Sequence, residues 1–277
     1  MPSPSPSELA ADTFVKAWAT GSWLTSPEDY PEAPPNVVEL YQTYLAMQVH
    51  PLAESELGGL GGYKLGAVGA EGETCLYAPL FKKFLVRASS GDGEAEMSSG
   101  AIQMFNVEAE IGMVIGADLS ARSDGEPLTS EDVWVAVQSV VPCIECCGRR
   151  ATAEVAGAQP TALGKFADCL SAGGVIFGEA VPSQSFSDAA SVLASCSTAL
   201  QVNGDEVASG SGAACPLGGP VQALVWLANH LISRGLMLQK GQLVITGMTC
   251  KSTSFKVGDA IAATFSSLPR VDMTVAS

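Results

Sequence analysis

Histidine is almost missing from this chain: His50 and His230 are the only two in 277 residues. A histidine-built metal centre is thereby excluded, and a Ser-His-Asp triad could rest on one of those two alone. His230 falls in a helical pattern and His50 directly precedes Pro51, so each is expected to be structural or superficial. Basic residues are scarce as well, 14 Lys and Arg against 29 Asp and Glu, for a formal net charge of −15. No Lys/Arg cluster stands out, so neither nucleic acid nor an anionic membrane surface is an expected partner. No apolar run approaches the ~20 residues that a membrane-spanning helix needs. Met1 to Ser7 is a Pro/Ser tail without the basic and apolar regions of a signal peptide. These absences lead to the expectation of a soluble, cytoplasmic protein with no membrane span and no visible targeting signal.

What is present is apolar. Hydrophobic residues make up 47% of the chain and charged residues only 16%, which suits a compact fold and not a disordered one. The length allows one large domain or two small ones. Eight cysteines are scattered through apolar context and do not form a small disulfide framework. Cys143 and Cys146 match C-x-x-C, but no second ligand pair stands at zinc spacing, and on a strand the two would face opposite ways. Buried, reduced thiols are expected.

The chemistry-bearing stretch is Asn106-Val107-Glu108-Ala109-Glu110-Ile111. On a strand, Glu108 and Glu110 would share one face, roughly 6–7 Å apart along the backbone. Either the acids are solvated on an amphipathic strand, or something positive lies between them, for which a hard divalent cation is the simplest partner. Glu145, inside Val140-Val141-Pro142-Cys143-Ile144-Glu145-Cys146-Cys147, is a lone acid in a buried strand pattern, rare unless paired or metal-bound. Lys64 lies between apolar neighbours in a strand expected over Tyr63–Val68.

Around these stretches the pattern predicts a helix capped by Ser7 to about Thr20, a short turn at Ser26-Pro27-Glu28, and a helix from Asn36 to about Val49, ended by Pro51. Ala88–Gly100 reads as a flexible loop, either a lid or a solvated excursion. Thr129 caps a helix expected to reach Ser139, and Ala151–Lys165 reads as a small-residue linker. Asn203-Gly204 marks a tight hairpin, and Pro220–Arg234 is the strongest helix. Many short strands, few long helices and no regular βαβ repeat predict an α+β, mixed β-rich roll. Residues 1–55 are expected to form a small helical N-terminal layer packing on residues 56–277, a single domain in all.

Three motifs in order carry a family resemblance: Gly62-Tyr63-Lys64-Leu65-Gly66, Val107-Glu108-Ala109-Glu110-Ile111, and Val141-Pro142-Cys143-Ile144-Glu145. With Ala167-Asp168, Asn203-Gly204, Trp226-Leu227-Ala228-Asn229, Thr246-Gly247 and Gly258-Asp259 beyond them, they resemble the fumarylacetoacetate hydrolase superfamily over roughly residues 36–275. The closest likeness is to its 2-oxopent-4-enoate hydratase / 4-oxalocrotonate decarboxylase branch, enzymes of aromatic catabolism. The resemblance implies the roll fold and a Mg²⁺ or Mn²⁺ held by Glu108, Glu110 and Glu145. It implies that Lys64 transfers protons with a pKa lowered by the metal and by burial, and that Asp168 orders the site. Ser171 and Thr246 are candidate substrate-side hydrogen-bonding groups. A small 2-oxo acid would be the substrate and a homo-oligomer the assembly. The chain departs from the branch at Cys169, where Asn is usual, at Gly148, where the acid of E-x-x-D-S-R is missing, at Gly219, where G-H-P has His, and at Ala67-Val68-Gly69.

The expected function is therefore a divalent-metal-dependent hydro-lyase, a hydratase of a 2-hydroxydienoate or 2-oxo-enoate. The alternatives are a 2-oxo acid decarboxylase or a C–C hydrolase of the same family, or a member that has lost activity and serves as a structural or assembly subunit.

Overall fold

A computed structural model of the chain describes residues 3–66, 75–88, 95–98 and 103–276. Its strands in chain order are β1 (Leu60–Gly66), β2 (Leu76–Phe81), β3 (Leu85–Arg87), β4 (Ala95–Ser98), β5 (Gln103–Ile115), β6 (Val137–Arg149), β7 (Ala172–Phe177), β8 (Val181–Pro182), β9 (Ser197–Val202), β10 (Asp205–Ser211), β11 (Leu243–Met248), β12 (Thr253–Ser254), β13 (Ala260–Phe265) and β14 (Val271–Ala276). Among the described residues, nine of them form a mixed sheet in the order β2-β1-β11-β5-β6-β7-β3, with β12 on β5 and β8 on β6. Five form a second sheet, β10-β9-β13-β14-β4. The mixed, β-rich α+β architecture expected from the sequence is what the structure has.

The helices are α1 (Pro6–Thr20), α2 (Val37–Gln48), α3 (Pro51–Ser55), α4 (Ser130–Val135), α5 (Ala153–Gly157), α6 (Ala162–Phe166), α7 (Ala189–Ala194) and α8 (Pro220–Ser233). α1 begins at Ser5 and not Ser7: Ser5 and Glu8 form a reciprocal capping box, and Pro6 fits the first helical turn. Pro51 does more than end α2, since it opens α3 behind a His50 cap. α4 stops at Val135, shorter than expected, because the chain joins the long β6 at Val137. The stretch 151–165 is not a linker but two short helices, each capped by a threonine, Thr152 and Thr161. Within the stretch read as a loop, Ala95–Ser98 is the edge strand β4, paired parallel to β14. Residues 89–94 and 99–100 of that stretch, and Ala67-Val68-Gly69, lie outside the described residues.

The N-terminal helices bury aromatic rings against the large sheet and its loops. Trp18 stacks on Phe84 at 5.2 Å, Tyr41 on Tyr77 at 4.5 Å, and Tyr44 Oη donates to Phe166 O. The core continues between the two sheets, where Cys146 of β6 meets Met273 of β14, 3.7 Å between sulfurs. Val107, Ala109, Ile111 and Ile144 are fully buried and share the face of Cys146 by strand alternation and register. The opposite face of β5 and β6 therefore carries the acids.

Candidate active site

β5 and β6 pair antiparallel over thirteen residues each, and the register sets Glu108 directly opposite Glu145 and Glu110 opposite Cys143. Directly opposed carboxylates repel unless a positive group intervenes. Here part of that charge is Lys64 of β1, whose Nζ lies 2.5 Å from Glu145 Oε1 and 3.1 Å from Leu170 O. Both side chains are nearly sealed from solvent.

Burial and mutual repulsion both act on these acids. Burial, then the Glu145 carboxylate, pushes the Glu108 carboxyl above its ordinary range, while Lys64 and the Cys147 thiol act against the rise. Glu110 is pushed up much further, by burial and then by Glu145 and Glu108. Lys64 feels burial as a lowering influence, outweighed by Glu145, Cys147, Glu108 and Glu110, so its pKa is raised. That is the reverse of the expected lowering: the protein's own groups hold Lys64 as an ammonium, and any lowering would rest on a bound cation.

Glu110 sits where the β11–β5 ladder breaks. The register slips between Ile245 and Met248, and beyond it the Thr249 amide donates to Ala109 O at 2.9 Å. Thr246 Oγ1 donates to Ile111 O at 2.8 Å and Thr249 Oγ1 to Ala109 O at 2.7 Å. Gly247, at φ 103°, turns its amide onto Glu110 Oε2 at 2.8 Å, and a side chain there would press on Pro216. Thr246, expected to meet substrate, is fully buried and bonded to backbone instead. Glu110 Oε1 and Glu145 Oε2 are buried without a hydrogen-bond partner. Two orphaned carboxylate oxygens on one face, with oxygen-rich donors beside them, fit a hard divalent cation.

A cleft of about 320 Å³ opens over this face, and Lys64, Glu108, Cys147, Leu170 and Ser171 line it. Ser171 forms part of the cleft wall. Asp168 does not reach the cleft. It is buried against Arg150, accepting from Arg150 Nε at 2.5 Å and from the Arg150 amide at 2.7 Å. The same guanidinium donates to Asp168 O and Ala172 O and stacks over Trp18 at 4.1 Å. Between those two carbonyls, Cys169, Leu170 and Ser171 all adopt left-handed φ values of 49°, 52° and 60°. Arg150 clamps both ends of this turn, and the turn presents Leu170 O to Lys64. Asp168 thus contacts Arg150 and not the cleft. Sequence reasoning missed Arg150, whose partner is 18 residues away. It also missed that alternation from Glu145 brings Cys147 to the acids' face.

One departure is accounted for by packing. The Cys169 thiol points into the core against Met47 Sδ at 3.3 Å, away from the cleft. None of the eight cysteines is in a disulfide and all are buried, Cys143 and Cys146 on opposite faces as expected. His50 caps α3 through Nδ1, and His230 is stacked on Trp226 at 4.6 Å, so neither lies at the site. No helix among the described residues is long and apolar enough to cross a membrane.

Residues 79–276 match the family described as fumarylacetoacetate (FAA) hydrolase, C-terminal. A 2-keto-4-pentenoate hydratase of Paraburkholderia xenovorans is 30% identical over 260 residues, covering 92% of this chain and 90% of the relative. A 2-hydroxyhexa-2,4-dienoate hydratase of Comamonas testosteroni is 31% identical over 163 residues, 58% of this chain and 56% of its own length. Among solved structures, the 4-oxalocrotonate decarboxylase of Pseudomonas putida G7, complexed with magnesium and adipate, superposes with a TM-score of 0.78 at 22% identity, covering 97% of both chains.

Proposed function

The chain belongs to the fumarylacetoacetate hydrolase family, and from that premise we propose that it is a divalent-metal-dependent hydratase of a 2-hydroxydienoate or 2-oxo-enoate. One observation carries the proposal: Glu108 and Glu145 face each other across β5 and β6 beneath a cleft that also holds Lys64. The relative matched over 92% of the chain is a hydratase, which favours hydration over decarboxylation. The decarboxylase likeness, at 22% identity, speaks for the fold.

Glu108, Glu110 and Glu145 would hold the cation, Mg²⁺ or Mn²⁺ by their hard oxygens. Bound there, it would supply Lewis-acid stabilisation of the enolate form of a 2-oxo acid. Lys64 holds a proton at Nζ at the cleft wall. Two of its three N–H donors go to Glu145 and Leu170 O, leaving one for a substrate atom. Such a positioned ammonium can protonate the carbon skeleton and recover the proton from water as the hydroxyl adds. Leu170 and Phe166 exclude water from one side of the cleft, and Asn106 and Ser252, bonded to each other at 3.1 Å, line another part.

The assay is loss of the dienoate chromophore by purified protein with Mg²⁺ or Mn²⁺, with carbon dioxide measured in parallel. Turnover that disappears in Glu108→Ala is expected. No turnover on any dienoate or 2-oxo-enoate with metal present would overturn the hydratase reading, and carbon dioxide release would replace it with decarboxylation. We further propose a homo-oligomer, to be checked by light scattering, and a single domain in which residues 1–55 fold only against the rest, as the Trp18–Phe84 and Tyr44–Phe166 contacts support. The expected compartment is the cytoplasm, which eight buried cysteines outside any disulfide support.

A further inference from the structure

The acid face holds a group that three carboxylates do not account for. Counting along β6 from Glu145, the next side chain on the same face is Cys147, register partner of Asn106. Its thiol lines the cleft beside Glu108 and Lys64. Ligand atoms of Glu108, Glu145 and Cys147 all lie within 4.8 Å of one another. One ion bonded to oxygen at ~2.0–2.2 Å and to sulfur at ~2.3 Å can bridge such a set once the side chains close on it. Glu145 contributes an independent sign, an oxygen buried and without a partner.

The other thiols near the site are committed elsewhere: Cys143 to Val141 O, Cys146 to Met273 across the sheet interface, Cys169 to Met47. Cys143 shares the acids' face opposite Glu110, but Cys147 alone among these lines the cleft. Two carboxylates and one thiolate would be balanced by a divalent ion together with the Lys64 ammonium. The remaining acid, Glu110, shares the face and is anchored by Gly247.

We propose that Cys147 is a sulfur ligand added to the carboxylate site, making it a mixed oxygen–sulfur site that takes a thiophilic divalent ion such as Zn²⁺ or Co²⁺ in preference to Mg²⁺. The proposal rests on the reading of this face as a metal site. On binding, the S–H bond breaks, a metal–sulfur bond forms, and the proton leaves to the buffer. A hard, oxygen-seeking ion gains little from sulfur, whereas a softer one gains a strong ligand.

The test is a Co²⁺ titration of the intact protein, followed by absorption. Thiolate ligation gives a near-ultraviolet sulfur-to-cobalt charge-transfer band, independent of any turnover. The expected result is a saturable band, absent from Cys147→Ser and Cys147→Val, with Co²⁺ affinity reduced roughly tenfold or more, the scale on which even outer-shell changes act. Co²⁺ binding without the band, or a band surviving both substitutions, overturns sulfur ligation while leaving the carboxylate site standing. No Co²⁺ binding by either the parent or the variants overturns the metal site and this proposal together. Should the variants fail to fold, the parent decides alone: Co²⁺ must protect Cys147 from iodoacetamide, read by peptide mass, and modification at an unchanged rate refutes ligation.

Discussion

Arg150→Met should cost this protein about 3–5 kcal/mol, because it removes one partner of a fully buried ion pair. The guanidinium is sealed from solvent and donates to the Asp168 carboxylate, Asp168 O and Ala172 O. Burial pushes the Asp168 carboxyl upward and Arg150 acts against the rise, so the substitution leaves a carboxylate held by one backbone amide alone. The turn it clamps opposes it. Three successive non-glycine residues at positive φ cost roughly 1–2 kcal/mol each, or roughly 3–6 kcal/mol together. Holding the turn is thus a task of the clamp's own size, and without the clamp the turn loosens and Leu170 O leaves Lys64, a buried contact whose loss offsets the strain released. At about 2 °C per kcal/mol for a chain of this size, the melting temperature should fall roughly 6–10 °C. Asp168→Asn should lose stability too, and the double variant should fall short of the sum by about 1–3 kcal/mol. Urea and thermal melts of the four proteins measure this, and hydrogen exchange at Leu170 and Ser171 reads the turn directly. A loss under about 1 kcal/mol with unchanged exchange in the turn would refute the clamp.

Acid should destabilise the protein through His230. Burial and then Arg234 lower its pKa to about 4, and Nε2 accepts from Arg234 Nε at 2.8 Å. The unfolded chain takes up this proton first, so stability should fall as pH drops from the ordinary histidine range toward 4. His230→Gln should flatten that slope in pH-dependent melts, and an unchanged slope would count against it. Gly62→Ala should lose about 1–3 kcal/mol, since Gly62 has φ 155° and a Cβ would stand 1.8 Å from Leu243 O; an unaltered urea midpoint would contradict this. Lys64→Met should be progressively less stable as pH rises. Glu108 and Glu110 already have raised pKa values, which Lys64 opposes. A folded-state pKa raised above the unfolded one gives stability at low pH that is lost as pH climbs through it. Saturating divalent cation should restore about 2.7 kcal/mol at one hundred times its dissociation constant. Melts with chelator or metal would show it, and a flat pH profile in the chelated variant would sink the idea.

The site was legible wherever it depended on alternation. E-x-E put two acids on one face, and Val141-Pro142-Cys143-Ile144-Glu145 announced a strand of its own, which the register then laid opposite. Asn203-Gly204 specified its hairpin locally. What stayed hidden depended on pairings far apart in the chain. Thr246 follows Ile245 in a good strand pattern, and nothing local signals that the β11–β5 ladder breaks beside it and claims its hydroxyl. Arg150 carries no local sign of burial, because its partner belongs to a later turn. The two helices in 151–165 were missed differently: Thr152 and Thr161 are ordinary cap residues, but five-residue Ala/Gly-rich helices have too little apolar periodicity to register.

The charge on the acid face also bears on whether the chain has become a structural subunit. Glu108, Glu110 and Glu145 share one face with one lysine beside them, and two of their oxygens are buried without a hydrogen-bond partner. Such an arrangement costs stability, since each unmet buried acceptor forfeits about 1–3 kcal/mol. Replacing buried ionic groups with well-packed apolar ones is often neutral or gains about 1–4 kcal/mol. A chain needed only for its shape has nothing to keep the acids in place, and Val or Leu would fill β5 and β6 better. The neighbouring groups are, by contrast, fully engaged: Asp168 by Arg150, Leu170 O by Lys64, the broken ladder by Thr246, Thr249 and Gly247. A fold that engages these neighbours while leaving the two central oxygens unmet suits a positive group that arrives from outside, and that favours the enzyme over the scaffold.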